Sequence, residues 1–297
     1  MNQKIKILNQ SVSLFIKRED LLHPHISGNK FRKLKYNITT AQEQNQTQLL
    51  TFGGAFSNHI VAVAAAGKEY GFQTIGVIRG EELATQIEDN PSLKLASDCG
   101  MKLEFISREQ YRNKNEKKAL EFWQKKYGKF YFLPEGGTND LAVKGCEEIL
   151  TVADDVFDYI CCAVGTGGTI SGLINSAKPH QKIIGFPALK GGFLQEDIRK
   201  FTHENNWELH LDYHFGGYGK VTPELIQFLN DFHAQYHIPL DPIYTGKMVF
   251  GVMDLIQKKY FKKGSKILLI HTGGLQGIRG INKVLSQKNK PQITYYE

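Results

Sequence analysis

Short apolar runs alternate with helix-like stretches along most of this 297-residue chain, and this alternation restricts the fold more than any other feature of the sequence. The predicted strands are Gln48–Phe52, Thr74–Ile78, Lys102–Ile106, Phe130–Leu133, Tyr159–Val164, Lys182–Pro187 and Lys266–His271. The predicted helices are Ser57–Tyr70, Ser92–Cys99, Gln110–Lys126, Leu141–Val152, Thr169–Ala177, Pro223–Tyr236 and Met248–Lys258. This pattern predicts an α/β fold whose parallel sheets are covered by helices on both faces.

Glycine-rich segments follow four of the predicted strands: Gly53–Gly54, Gly136–Gly137, Gly165–Gly168 and Gly273–Gly274. Ligands of open parallel sheets bind beyond the carboxyl ends of the strands, at the loops that lead into the next helix. We therefore expect these four segments to converge on one crevice. Their convergence does not by itself identify the ligand.

The turn Gly165-Thr166-Gly167-Gly168-Thr169 joins a predicted strand to a predicted helix. Glycines allow a close approach of the backbone to a ligand, and the unpaired N–H groups at a helix start attract phosphate. A tight turn without a ligand is the alternative interpretation. The turn lacks the GxGxxG spacing, and the chain has no GxxxxGK[ST] segment, which argues against a dinucleotide or P-loop site.

Lys30 lies in the segment Ser27-Gly28-Asn29-Lys30-Phe31-Arg32-Lys33-Leu34. Most lysines are surface charges, but the neighbours of this one are unusual. Arg32 and Lys33 add positive charge, which lowers the pKa of a nearby lysine and increases its reactivity towards an aldehyde. Together with the glycine turn, Lys30 suggests an enzyme that binds pyridoxal phosphate.

The chain carries a formal charge of +7 and has a pI near 9.0, but its lysines are scattered rather than clustered. This charge favours an anionic substrate or cofactor, and we expect no nucleic-acid partner. No apolar run has the length of a membrane span, and no secretory signal is evident, so a cytoplasmic location and no membrane partner are expected.

The chain has four cysteines, and no pair of them has the spacing of zinc ligands. They are Cys99, Cys146, Cys161 and Cys162. We interpret them as buried free thiols and expect no metal site.

Five segments of the chain resemble, in the same order, the family of 1-aminocyclopropane-1-carboxylate deaminase and D-cysteine desulfhydrase. They are Lys17-Arg18-Glu19-Asp20, Gly28–Leu34, Phe52–His59, Gly165–Thr169 and Asp241-Pro242-Ile243-Tyr244-Thr245-Gly246-Lys247. The resemblance spans most of the chain. It implies a fold-type II pyridoxal-phosphate enzyme, with two domains that each contain a mainly parallel sheet flanked by helices.

For the cofactor, the resemblance implies that Lys30 forms the Schiff base and that Lys33 contacts the phosphate. Asn58 would bond the 3′-oxygen, and Thr245 would lie at the pyridine nitrogen. The phosphate would be held by the turn that comprises Gly165, Thr166, Gly167, Gly168 and Thr169.

For the substrate, the resemblance implies contacts from Ser57, Asn58, His59, Tyr218 and Tyr244, with Lys30, Ser57 and Tyr244 as the catalytic residues. Ser57 also has the position of a helix N-cap, and both roles are compatible. Ordinary core or rim tyrosines remain the alternative for Tyr218 and Tyr244.

Two positions depart from the family pattern. The family usually has arginine where this chain has Val61, which leaves a carboxylate or helix-surface contact in question. Ring-opening deaminases have glutamate at the position of Thr245. A glutamate would keep the pyridine nitrogen protonated, whereas a neutral threonine makes the ring a weaker electron sink and favours substrates with a good β-leaving group.

The favoured interpretation is therefore β-elimination of a small D-cysteine-like amino acid to a 2-oxo acid and ammonia. The alternatives are a 1-aminocyclopropane-1-carboxylate deaminase, a homologue with altered chemistry that still binds pyridoxal phosphate, and a β-replacement synthase or racemase. The resemblance further implies a large domain of residues 1–33 and 135–297, a small mobile domain of residues 34–134, and a homodimer.

Overall fold

The structure is a computed structural model that describes residues 1–7 and 11–295. In this part of the chain, the strands are β1 Asn2–Ile5, β2 Ser13–Lys17, β3 Gln48–Gly53, β4 Gln73–Arg79, β5 Lys102–Ile106, β6 Tyr131–Leu133, β7 Tyr159–Val164, β8 Lys182–Pro187, β9 Trp207–Leu209 and β10 Lys266–Ile270. The helices are α1 Asn29–Glu43, α2 Asn58–Tyr70, α3 Pro91–Asp98, α4 Arg108–Arg112, α5 Lys117–Tyr127, α6 Asp140–Glu147, α7 Gly168–Ser176, α8 Leu194–Arg199, α9 Pro223–Tyr236, α10 Thr245–Gln257 and α11 Gly277–Gln287.

The strands form two sheets, which confirms the predicted α/β fold. The larger sheet has the order β1-β2-β10-β7-β8-β9, and the smaller has the order β5-β4-β3-β6. Every strand pair of the smaller sheet is parallel, and in the larger sheet β1 pairs antiparallel with β2 while the other described pairs are parallel.

The central strands are apolar along almost their whole length because helices cover both faces of each sheet. In β7, the residues from Ile160 to Val164 are all buried, and in β10 the run Ile267–Ile270 is fully buried. Cys146, Cys161 and Cys162 are buried free thiols, as predicted, whereas Cys99 is only partly buried.

Several boundaries differ from the sequence-based predictions. The helix predicted over Gln110–Lys126 is two helices, because Ser107 starts α4 with a capping box and α4 ends after one turn. Helix α6 ends at Glu147 rather than near Val152, and α10 begins at Thr245 rather than at Met248. Helix α1, which carries Lys30, was not predicted.

Helix α1 links the two sheets. Its residues Leu34, Ile38 and Ala41 are buried in the core of the smaller sheet. The predicted domain boundary after residue 33 falls inside this helix, and the division into two domains remains a prediction. Within residues 1–7 and 11–295, no helix is both long and apolar enough to cross a membrane.

Candidate active site

A cavity of about 430 Å³ lies where the carboxyl ends of strands from the two sheets face each other. The four glycine segments all contribute to its lining, through Gly54, Gly136, Gly165, Gly167 and Gly273. The predicted convergence of these segments is therefore confirmed. The parallel strands end at one edge of each sheet, so their following loops meet there.

The start of α1 is fixed against the larger sheet. Gly28 has φ +58°, and a Cβ atom there would lie 2.0 Å from the carbonyl oxygen of Thr272, so only glycine fits. Asn29 Nδ2 donates a hydrogen bond of 2.7 Å to Thr169 Oγ1 at the start of α7. These two contacts place the first turn of α1 beside the glycine turn.

Lys30 lies in this first turn and reaches the cavity. Its Nζ donates to the carbonyl oxygen of Gly136 at 3.0 Å, and the residue lines the cavity wall. Burial, followed by the nearby charge of Lys33, holds the pKa of Lys30 well below its usual value. A lysine with a lowered pKa is a better nucleophile towards an aldehyde and a better base near neutral pH.

Lys33 lies one helical turn further along and is buried. Its Nζ donates to Gly136 O at 3.1 Å and to Thr138 Oγ1 at 2.9 Å, with Thr166 Oγ1 at 3.5 Å. Burial also lowers the pKa of this ammonium group. In the described part of the chain, no carboxylate forms an ion pair with it.

The surroundings of Lys33 fit a phosphate group. A Cβ atom on Gly168 would lie 2.8 Å from Thr138 side-chain atoms and 3.2 Å from Lys33 Nζ, so the glycine keeps this space open. Helix α7 begins here and presents unpaired N–H groups. A buried cation without an acid partner, threonine hydroxyls and a helix N-terminus together form an anion site.

Helix α2 begins at the opposite wall of the cavity with Ser57 as its N-cap. Ser57 Oγ accepts hydrogen bonds from the backbone N–H groups of His59, at 3.2 Å, and Ile60, at 3.4 Å. The predicted capping role is confirmed. Ser57 and Asn58 both line the cavity, and the hydroxyl proton of Ser57 is not used by the cap.

His59 is buried and lines the same wall. The hydroxyl of Thr51 donates to the carbonyl of Leu133 at 2.9 Å, so in its 2.8 Å contact with His59 the imidazole Nε2–H must be the donor. Burial, together with the charges of Lys30 and Lys33, lowers the pKa of His59 well below its usual value, so the ring is neutral at pH 7.

Tyr218 and Tyr244 both line the cavity and pack against each other, with ring centroids 6.0 Å apart in an edge-to-face arrangement. Burial, and secondarily Tyr218, raises the pKa of Tyr244 well above its usual value, so its phenol is protonated. A Cβ atom on Gly165 would lie 3.2 Å from the Tyr244 ring, which places this tyrosine directly against the glycine turn Gly165–Thr169.

Lys247, three residues after Tyr244, holds the loop that carries Tyr218. Its Nζ donates to the carbonyl oxygens of His214 and Gly217, each at 2.9 Å. The side chain is buried, and burial lowers its pKa to about 8. The first turn of α10 therefore positions both tyrosines, one directly and the other through this lysine.

Thr245 is fully buried, and its side chain is bonded to Asp241. The hydroxyl donates to Asp241 Oδ1 at 2.6 Å and accepts from the Asp241 backbone N–H at 3.0 Å. Among the described residues that line the cavity, Thr245 is absent. Its predicted contact with the cofactor therefore remains a prediction.

Val61 of α2 does not line the cavity, although Ser57 and Asn58 at the start of the same helix do. It lines a separate hollow with Pro91 and Leu95 of α3. The valine that is present therefore contributes nothing to the cavity wall described above.

Four polar residues of the cavity were not predicted as site residues from the sequence: Asn29, Arg79, Glu135 and Thr272. Arg79 is the last residue of β4, and Glu135 and Thr272 come two residues after the ends of β6 and β10. Position after a strand was the available signal, but the prediction relied on glycines and passed over these polar side chains.

Comparisons with known proteins agree with this geometry. The profile of a family described as pyridoxal-phosphate-dependent enzymes matches residues 3–273. A relative from Pyrococcus horikoshii, provisionally named 1-aminocyclopropane-1-carboxylate deaminase, is 32% identical, with 89% of this chain and 85% of the relative covered. A bifunctional D-cysteine desulfhydrase/1-aminocyclopropane-1-carboxylate deaminase from Arabidopsis thaliana is 31% identical, with 91% and 74% covered.

Solved structures give the same result. The crystal structure of a 1-aminocyclopropane-1-carboxylate deaminase homologue superposes with a TM-score of 0.83 at 30% identity, covering 96% of this chain and 93% of that one. A hydrogen sulfide-producing enzyme from Fusobacterium nucleatum has a TM-score of 0.66 at 17% identity, over 93% and 95% of the two chains, which supports the shared fold alone.

A fold-type II architecture with a lysine at the cavity wall and an anion site beside it defines a pyridoxal-phosphate-dependent enzyme. Within that class, the chain belongs to the family of 1-aminocyclopropane-1-carboxylate deaminase and D-cysteine desulfhydrase. Its cofactor is pyridoxal phosphate, and its activity is that of a deaminase or carbon–sulfur lyase.

Proposed function

We propose that this enzyme catalyses β-elimination from a small D-cysteine-like amino acid. With D-cysteine, the amino acid and one water would give pyruvate, ammonia and hydrogen sulfide. The observation that carries this choice is Thr245, which stands where ring-opening relatives have glutamate and whose hydroxyl is bonded to the buried Asp241.

The argument from Thr245 concerns charge. Thr245 itself is neutral, and both carboxylate oxygens of the neighbouring Asp241 are occupied by hydrogen bonds from the residues that follow it. If this position faces the pyridine nitrogen, as the resemblance implies, the ring is stabilised as a cation less than it would be by an ionised glutamate. A weaker electron sink suits a substrate whose β-substituent leaves easily, such as a thiolate.

When bound, pyridoxal phosphate supplies the electron sink that acidifies the α-proton of an amino acid. Lys33, Thr138 and Thr166 would hold its phosphate together with the N-terminus of α7. Lys30 Nζ would hold the cofactor covalently and, once released by the substrate amine, would take the α-proton.

The remaining groups act on the substrate. Ser57, Asn58 and the N-terminus of α2 would hold its carboxylate, since N–H groups and a positive dipole end meet there. The phenol of Tyr244 is protonated and lies against the glycine turn Gly165–Thr169. It could therefore deliver a proton to the leaving group. His59 is neutral, so it would add no charge to this wall of the site and would act on the substrate by position alone.

Opening of 1-aminocyclopropane-1-carboxylate to 2-oxobutyrate and ammonia is the second candidate. The names of the relatives from P. horikoshii and A. thaliana support it. A homologue that binds the cofactor without chemistry is the third candidate. The presence of Ser57, Asn58 and Tyr244 in the cavity beside Lys30 argues against it, since binding of the cofactor alone does not need these substrate-facing groups.

The deciding experiment measures 2-oxo acid release by the cofactor-loaded enzyme with D-cysteine and 1-aminocyclopropane-1-carboxylate in parallel. We expect pyruvate from D-cysteine alone. Release of 2-oxobutyrate from the cyclopropane would overturn the argument from Thr245, and the absence of any product would favour the non-catalytic homologue. Thr245→Glu is the matched variant: it should lower the rate with D-cysteine.

We also propose that the enzyme is a cytoplasmic homodimer. The resemblance supports this assembly, and light scattering of the purified protein tests it: a monomeric mass would contradict it.

A further inference from the structure

One group of charged and aromatic residues at the opening of the cavity has no part in the function proposed above. It consists of Arg79, Tyr111, Lys114 and Glu135, which we term the mouth cluster. Arg79 and Glu135 line the cavity, and the guanidinium carbon of Arg79 lies 5.8 Å from the centroid of the Tyr111 ring.

The sheet register brings these residues to the cavity. Strand β4 is parallel to β3 with Gly53 opposite Ile78, so Arg79 stands one position further along, level with Gly54. Strand β6 flanks β3 on its other side with Leu133 opposite Thr51, which brings Glu135 to the same edge. The carboxyl ends of β4 and β6 therefore hold the two charges on either side of β3.

Within the cluster, Glu135 is already satisfied. Its Oε1 accepts a hydrogen bond of 2.7 Å from Tyr111, and its Oε2 lies 3.1 Å from Lys114 Nζ. The charge of Glu135 is thus offset by Lys114. Lys114 and the buried Tyr111 thus occupy both oxygens of this carboxylate.

Arg79 has no such partner. Other arginines form ion pairs, namely Arg18 with Asp20, Arg32 with Glu19 and Arg108 with Glu82. In the chain segments described here, no carboxylate lies within 4.0 Å of the Arg79 guanidinium, whose partner is the Tyr111 ring. The mouth of the cavity therefore carries an uncompensated positive charge.

This charge stands apart from the other two anion sites. Val77, which shares its sheet face with Arg79, packs with Tyr111 and Trp123, whereas Ile78 packs in the core on the α2 side. Arg79 therefore leaves the sheet on the face opposite the start of α2, where the substrate carboxylate is expected. The phosphate of the cofactor is expected at Lys33, in a third place.

Tyr218, which is 43% exposed, lines the cavity together with Arg79 and Glu135. Its ring lies edge-to-face with that of Tyr244, with the centroids 6.0 Å apart. A substrate that extends from the cavity towards solvent would therefore meet an aromatic side chain as well as the guanidinium of Arg79.

We propose that Arg79 binds a second anionic group at the end of the substrate side chain. The substrate class would be amino acids whose β-substituent ends in a carboxylate, sulfonate or phosphate. This inference rests on the proposed function, because it assumes an amino acid bound in the cavity. Tyr111 would act as a positioning residue: its ring supports the guanidinium, and its hydroxyl holds Glu135.

The test measures binding, not turnover, from the change in cofactor absorption when amino acids are added to the holoenzyme. Aspartate is compared with asparagine and glutamate with glutamine, as both enantiomers, because each pair differs in the distal charge. We expect the acid to bind about tenfold more tightly than its amide, the scale of one charge-assisted hydrogen bond.

Three variants sharpen this test. Arg79→Gln should abolish the preference, so that the acid and its amide bind with similar affinity. Arg79→Lys should keep part of the preference because the charge remains. Arg108→Gln, which removes a surface arginine paired with Glu82, is the matched control and should behave as wild type.

Equal affinity of the wild-type enzyme for acid and amide would overturn the role of Arg79 and leave the proposed function standing. The same holds if Arg79→Gln keeps the preference, or if it weakens acid and amide equally. If no amino acid changes the cofactor absorption, both the proposed function and this inference fail.

Discussion

The chemistry of the site depends on buried cations that have little acid to pair with. Lys30 and Lys33 are one helical turn apart and share the carbonyl oxygen of Gly136 as an acceptor. Burial lowers the pKa of both ammonium groups, and the charge of Lys33 lowers that of Lys30 further. Burying these ammonium groups without an acid partner is unfavourable, and an anionic cofactor bound beside them would reduce that unfavourable free energy.

Replacing Lys30 tests its covalent and basic roles. Lys30→Ala should abolish the absorption band of the lysine-bound cofactor and lower kcat by at least about a hundredfold, since the variant lacks the base for the α-proton. Absorption spectra and product assays measure the two effects. Lys35→Ala, which removes an exposed lysine from the same helix, is the control. Normal turnover by Lys30→Ala would contradict the proposed mechanism.

Lys247 permits a prediction about pH. Burial lowers its pKa from 10.5 to about 8, so between these pH values the unfolded chain binds more protons than the folded one. Its contribution to the free energy of unfolding is therefore least favourable below pH 8 and rises as the pH increases towards 10.5. Lys247→Met removes this titration.

We expect the free energy of unfolding of wild type, minus that of Lys247→Met, to increase by roughly 3 kcal/mol between pH 7.5 and pH 10.5. Urea denaturation of both proteins across this range measures the difference. A difference that is constant with pH would mean that Lys247 titrates normally in the folded state.

At the scale of elements, most of the site residues are positioned by the first turns of helices. The start of α2 can be tested separately from catalysis. Ser57→Ala removes the N-cap and should lower the free energy of unfolding by about 1 kcal/mol. Asn90→Ala is the matched control, because Asn90 caps α3 through the N–H groups of Ser92 and Leu93 and does not line the cavity.

Both variants should lose similar stability in urea denaturation, but only Ser57→Ala should weaken amino-acid binding to the holoenzyme. If Asn90→Ala weakens binding equally, the effect of Ser57 is that of a helix cap and not of a substrate contact.

Most helices and strands could be predicted from the sequence, because apolar periodicity marks the elements and glycines mark their ends. The strands from β3 to β8 and the helices α2 and α9 were predicted within a few residues, because their apolar patterns are strong. Helix α1 was missed, since Lys30, Arg32, Lys33 and Lys35 obscure its short apolar face. Tertiary packing against the smaller sheet stabilises this helix more than its own composition does.

The contacts between side chains that are distant in the chain could not be predicted from the sequence. The residue types at Thr245 and Lys247 were visible, but the hydroxyl bond of Thr245 to Asp241 and the two carbonyls held by Lys247 depend on how distant loops pack. Arg79 and Glu135 were likewise visible as single charges. Only the parallel register of β3, β4 and β6 brings them to one opening.

For the whole molecule, the anion site predicts a stability effect of the cofactor's phosphate. A ligand that binds only the folded protein stabilises it by about 2.7 kcal/mol at a free concentration of a hundred times its Kd. Pyridoxal phosphate should therefore raise the melting temperature of the apoenzyme more than pyridoxal does at equal concentration. The measurement is differential scanning calorimetry.

Lys33→Met should reduce this difference, since it removes the buried cation of the site. An equal effect of pyridoxal and pyridoxal phosphate would show that the phosphate does not bind in the cradle around Lys33.

Helix α1 gives the molecule a mechanical link between its two halves. Its first residue is tied to α7 by the bond from Asn29 to Thr169, while Leu34, Ile38 and Ala41 are embedded in the core of the smaller sheet. Further along the helix, the backbone of Arg32 packs so closely on α6 that a Cβ atom on Gly145 would lie 2.0 Å from the Arg32 carbonyl oxygen. Because α1 is held from both sides, any displacement of the smaller sheet would load this helix along its length, and the position of the Lys30 amine would report it.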